Sequence, residues 1–136
     1  MTRFLALATL PSGRFAYVPV DAEDRDQATL SVSADTKVHA ILTDAQLRVA
    51  QMTIEQLPEP DTANSKRWAV IMIMADGEGV IRGAMAPTSM EARQLINTLT
   101  LDAEGNEPAV NLGAFDLGHI QAMREAMVTG HTHVHV

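Results

Sequence analysis

The chain has 136 residues, 46% hydrophobic and 20% charged, the balance of a globular protein long enough to form one domain with a core that needs no staple. It has no cysteine, which excludes thiol catalysis, disulfides and zinc-thiolate sites; a formal net charge of −7 with ten dispersed Lys and Arg argues against a nucleic-acid surface. No apolar run approaches the roughly 18 residues of a membrane span, and Pro11-Ser12-Gly13-Arg14 interrupts the N-terminal apolar stretch before a signal core forms, so a cytoplasmic location is expected.

Arg3–Leu10 and Phe15–Val20 flank that Pro-Ser-Gly-Arg connection and read as a hairpin. Asp21–Ser33 is polar and acidic, a surface loop or short helical turn, and Lys37–Leu42 reads as a short strand. Thr43 can cap a helix over Asp44–Leu57, with Leu47, Ala50, Ile54 and Leu57 at helical spacing and Val49 and Met52 widening the stripe. Pro58-Glu59-Pro60-Asp61 stops it, and a polar linker follows.

Residues 67–86 form the centre of the sequence. Trp68–Met74 is apolar at every position, the pattern of a strand covered on both faces, and Ala75–Gly79 supplies the turn of a hairpin. Thr88-Ser89-Met90-Glu91 is a capping box opening a helix with Ala92, Leu95, Ile96 and Leu99 on one face. Ala109–Phe115 is extended or irregular. Asp116 caps a third helix, Leu117–Val128, with Leu117, Ile120, Met123 and Met127 inward and Gly130 at its end. The last six residues, 131–136, alternate as a terminal strand or frayed tail.

The expected architecture is α+β in a single compact domain, 1–136: an antiparallel-rich sheet built on the central hairpin, with about three amphipathic helices packed on it. Two β-β-to-α passages, Arg3–Leu57 and Arg67–Thr98, hint at a duplicated unit, but they share no residue-level period. If all helices lie on one face, Trp68–Met74 calls for a second subunit on the other, and a homodimer follows.

Three features bear on chemistry. His131, His133 and His135 share one side of a strand; same-face neighbours lie about 6.5 to 7 Å apart, so two of them with a third ligand suit a divalent transition metal such as zinc. The third ligand could be His39, His119, Asp116 or a carboxylate from another chain, and the sequence does not choose among them. Arg82, the one charge inside the central hairpin arms, is a candidate anion contact, with Glu78 or Glu91 as competing partners. The glycine-rich Asp76-Gly77-Glu78-Gly79 lacks the helix that a phosphate loop requires, and no serine elbow or His-Glu-x-x-His pattern occurs. These observations favour a small acidic, non-enzymatic protein that docks a protein partner, of the inhibitor, adaptor or immunity type, with no resident cofactor. The alternatives are a metal-binding protein or small metal enzyme using the terminal histidines, and a small-molecule or nucleotide sensor with a pocket at a dimer seam.

Overall fold

A computed structural model describes residues 1–32, 34–60, 65–74, 79–100 and 104–134. The protein is α+β, with two antiparallel sheets and four helices among the described residues. The chain's contacts divide into two compact units, each with its own sheet: Met1–Leu47 together with Gln121–Val136, and Arg48–Ile120.

The first unit is built on β1 (Thr2–Thr9) and β2 (Phe15–Ala22). Their turn is closed by hydrogen bonds from the Leu10 N–H to the Arg14 carbonyl and from the Gly13 N–H to the Leu10 carbonyl, both 2.8 Å, with Gly13 at φ +86°. A short helix α1 (Arg25–Ser31) starts where the Asp24 carboxylate accepts from the Gln27 N–H. Strand β3 (Lys37–Thr43) pairs with the far side of β1. Phe4, Ala22 and the α1 residue Ala28 form one buried cluster, flanked by Val20 and Ile41. Leu5, Leu7, Tyr17 and Leu42, all essentially inaccessible, point to the opposite face.

The second unit repeats this plan. Strands β4 (Lys66–Ile73) and β5 (Gly79–Ala86) form the central hairpin, whose turn residues 75–78 lie outside the described set. Helix α3 (Ser89–Leu99) is capped by Thr88, and β6 (Val110–Phe115) pairs with the far side of β4. Trp68, Val70, Met72, Ala84 and Ala86 pack with Ala92 and Ile96 of α3. The Trp68 indole N–H donates to the Ala86 carbonyl at 2.9 Å, so the ring is buried without an unsatisfied donor.

The missing residue-level period lies in these pairings. The β1–β2 register runs from Thr2 opposite Ala22 to Thr9 opposite Phe15; the β4–β5 register runs from Lys66 opposite Ala86 to Ile73 opposite Gly79, each position 64 residues further on. Phe4 matches Trp68, Ala28 matches Ala92, and the cap Asp24 matches Thr88 at the same spacing. From the third strand onward the spacing is 73. Leu42 opposite Leu5 matches Phe115 opposite Ala69, and both third strands bulge at one place, between Leu7 and Ala8 and between Ile71 and Met72.

The helices α2 (Asp44–Glu55) and α4 (Leu117–Thr129) follow the third strands at that same spacing of 73. Buried Leu47, Ala50 and Ile54 match buried Ile120, Met123 and Met127. The boundary between units falls after Leu47 in α2 and after Ile120 in α4, at matching positions. Hence the second half of α2 is counted with the second unit, where Thr53 and Leu57 approach Gly83 of β5. The second half of α4 is counted with the first, where the Met127 carbonyl accepts from Arg3 at 3.0 Å.

Within the second unit, therefore, α3 covers the Trp68 face, and the end of α2 lies on the face of Gly83 and its partner Ala69. Ala69, Val70, Ile71 and Met72 are fully buried, as the unbroken apolar run implies. The condition that called for a second subunit, helices on one face only, is not met. Two helix stripes are also narrower than their periodicity implies: Val49 (49% exposed) and Met52 (55%) in α2, and Leu95 (46%) and Leu99 (71%) in α3, face outward.

Candidate functional site

The outer edge of β5 and the neighbouring flank of α3 form the most distinctive surface of the second unit. Sheet order is β5-β4-β6, so among the described residues β5 pairs on one side only. Arg82 lies opposite Val70, on the α3 face of the strand; it is exposed, and its Nη1 donates to the neighbouring Ile81 carbonyl at 3.2 Å. Of the competing partners, Glu78 lies outside the described residues.

The orientation of α3 follows from its polar side. The Arg93 Nη2 donates to the Asn111 carbonyl at 3.0 Å, and the Asn111 amide reaches the Arg93 carbonyl and Asn97 Oδ1, so Arg93 and Asn97 turn towards β6. With Ala92 and Ile96 facing the sheet, helical periodicity puts Leu95 and Leu99 on the opposite flank, on the β5 side. Helix α1 ends at the position matching Leu95, so the turn that carries Leu99 has no counterpart in the first unit.

The edge matching β5 in the first unit is occupied. Strand β7 (His133–Val134) pairs antiparallel with β2, with Val134 opposite Ala16 and His133 opposite Tyr17. The His133 ring stacks on Tyr17 at a centroid distance of 5.5 Å and an angle of 13°. Phe15 meets Tyr17 edge-on at 5.7 Å, and His39 stacks on Phe15 at 6.1 Å while its Nε2 lies 2.8 Å from the Thr9 hydroxyl. This row crosses the sheet, and His39 belongs to it because the bulge in β3 leaves it unpaired. At the matching positions the second unit has Gly79, Ile81, Leu112 and Ile73, so this ring-stacked row has no equivalent there.

His131 and His133 lie in the exposed C-terminal segment of the first unit, and His135 lies outside the described residues. Among the described residues no group of three or more His, Asp or Glu side chains is placed to hold a metal. His119, in the second unit, belongs to a helix cap. Its backbone N–H donates to Asp116 Oδ1 at 2.9 Å and its ring Nδ1 is 2.6 Å from the same oxygen. Burial pushes the Asp116 carboxyl up, but the hydrogen bonds and charge of His119, together with the charge of Lys66, outweigh it and hold the group below the usual carboxylate range. At the matching cap Thr43 accepts from the Gln46 N–H at 3.2 Å and Gln46 Oε1 accepts from the Thr43 N–H at 2.9 Å. His119 and Gln46 thus hold the same place in two helix caps.

Sequence reasoning singled out Arg82 but missed the α3 flank, because an apolar pair at helical spacing reads as core. It also missed Arg3, whose guanidinium holds Asp21 at 2.8 Å and 3.1 Å and the end of α4 through Met127. No family model, curated protein or solved structure matches the chain.

Proposed function

We propose that the chain is a binding protein that docks a protein partner through the second unit. The observation that carries this reading is the exposed leucine pair, Leu95 and Leu99, one helical turn apart: Leu95 stands at the position where α1 ends, and Leu99 closes a turn that α1 lacks. A turn added to a repeated plan, ending in a leucine that the core does not use, is explained by something that covers it. Of the nine large hydrophobic residues that stand exposed among the described residues, six (Val49, Met52, Met90, Leu95, Leu99 and Val110) belong to this unit. The acidic balance of the chain favours a partner with a basic rim.

The test is a Leu95→Lys, Leu99→Lys double variant compared with the wild type for proteins retained from a lysate of the source cells. A partner held stoichiometrically by the wild type and lost with the variant, at unchanged circular dichroism and melting, supports the reading. Identical retained sets for the two proteins would sink it.

A further inference from the structure

Strand β2 shows what the edge of this repeated unit accepts. It takes an extended segment, antiparallel, at Ala16 and Tyr17, and the matching positions on β5 are Val80 and Ile81. The supply differs between the units. After α4 the chain continues into His133–Val134 and adds to β2; the matching residues after α2 are Leu57, Pro58, Glu59 and Pro60, with Pro60 in the place of His133. Proline has no N–H to give a ladder, so this linker cannot do at β5 what the tail does at β2. Among the described residues no strand takes the outer edge of β5.

We infer that the outer edge of β5 is a docking strand for an extended segment of the partner, which adds antiparallel along Val80–Arg82 beside the Leu95 flank of α3. This rests on the partner-binding reading and specifies its surface. Continuing the β2–β7 register by one residue puts Thr132 beside Val18, and both line a groove of about 440 Å3 with Pro19, Val20, Ser31 and Val32. The residues of the second unit matching Val18, Pro19, Val20 and Ser31 are Arg82, Gly83, Ala84 and Leu95.

Replacing Val18 by Arg82 sets the chemistry of the incoming segment. The residue that falls beside Arg82 is acidic, so that a carboxylate takes the guanidinium now resting on the Ile81 carbonyl. Two positions later, beside Val80, stands a β-branched apolar residue, on the face that continues towards the α3 leucines. A second copy of this chain fits less well: antiparallel pairing of β5 with β5 centred on Arg82 sets two Arg82 side chains directly opposite each other. Main-chain bonds supply the attachment and Arg82 the selection, the division of labour of strand addition at a sheet edge.

The experiment uses the full chain labelled with 15N and a capped, soluble nine-residue peptide of β-branched residues carrying one glutamate two positions before a valine. Amide shifts centred on Val80–Gly83, at least tenfold weaker binding to an Arg82→Glu variant, and recovery on that variant with lysine in place of the glutamate bear the inference out. No binding up to millimolar peptide, shifts centred elsewhere, or equal binding by wild type and Arg82→Glu would overturn it. If Arg82→Glu self-associates through β5 without any change in peptide binding, Arg82 only guards the edge and the inference also fails. None of these outcomes decides the lysate comparison with the Leu95, Leu99 variant, so the docking edge and the partner reading fall separately.

Discussion

Thr43 and Asp116 hold the same place in two copies of one plan, 73 residues apart, each accepting a hydrogen bond from the N–H three positions on. One is a neutral hydroxyl and the other a carboxylate, which makes the pair an internal control for pH.

Thr43→Ala and Asp116→Ala are each expected to cost about 0.5–2 kcal/mol, measured by urea unfolding. Their pH responses differ. Asp116 titrates lower in the folded chain than in the unfolded one, so its contribution is fully present above the unfolded value and is lost as pH falls through the folded value. Asp116→Asn keeps the cap but removes this titration, so its melting temperature should fall less than that of the wild type between pH 5 and about pH 2. An unchanged acid slope refutes this role for the carboxylate. Asp21, lowered by its hydrogen bond to Arg3, leaves a residual slope that salt weakens.

Gly83 is expected to resist enlargement. A Cβ there would meet Thr53 Cγ2 at 3.0 Å and Leu57 Cδ2 at 3.1 Å. Gly83→Val should destabilise by about 1–3 kcal/mol, and combining it with Leu57→Ala should cost less than the sum of the two single changes. Strict additivity in chemical denaturation excludes the contact.

The terminal pairing has its own signature. Deleting residues 131–136 removes the partner of Ala16 and Tyr17 together with the ring stacked on Tyr17. Exchange at the Tyr17 amide should accelerate by tenfold or more, while the Ala69–Met72 amides keep their protection. Unchanged exchange at Tyr17 contradicts the pairing.

Phe4 and Trp68 are matched anchors of their clusters. Phe4→Ala and Trp68→Ala should each cost about 3–5 kcal/mol. Trp68→Phe should lose about 1 kcal/mol with the bond to the Ala86 carbonyl, a loss Phe4→Leu has no reason to share. Thermal melts of the four variants decide.

Local chemistry carried most of the element reading. Thr43, Thr88 and Asp116 announced three helices, because a side-chain oxygen before an apolar period has one main use, and the run Trp68–Met74 announced a strand buried on both faces. The repeat was hidden because matching positions keep class and change identity: Phe4 for Trp68, Leu7 for Ile71, Thr43 for Asp116. Nine extra residues, the last four of α3 and five more between α3 and β6, also break any constant period. The α3 stripe misled for a packing reason. The helix rests on Ala84 and Ala86 through Ala92 and Ile96, small enough for a close approach that leaves Leu95 and Leu99 outside. A site made of a strand edge that pairs with no other strand among the described residues leaves no motif in the sequence, since the main chain that forms it has no residue signature.

The division of the chain also sets an order of events. Arg48–Ile120 is contiguous, so its contacts can form as soon as those residues are made. Met1–Leu47 must wait for Gln121–Val136, across a 73-residue span whose closure costs entropy before any contact repays it. Met1–Leu47 is synthesised before Arg48–Ile120 yet completed after it, and until Gln121–Val136 has been made and docked, the inaccessible face of Leu5, Leu7 and Tyr17 remains open to whatever meets it.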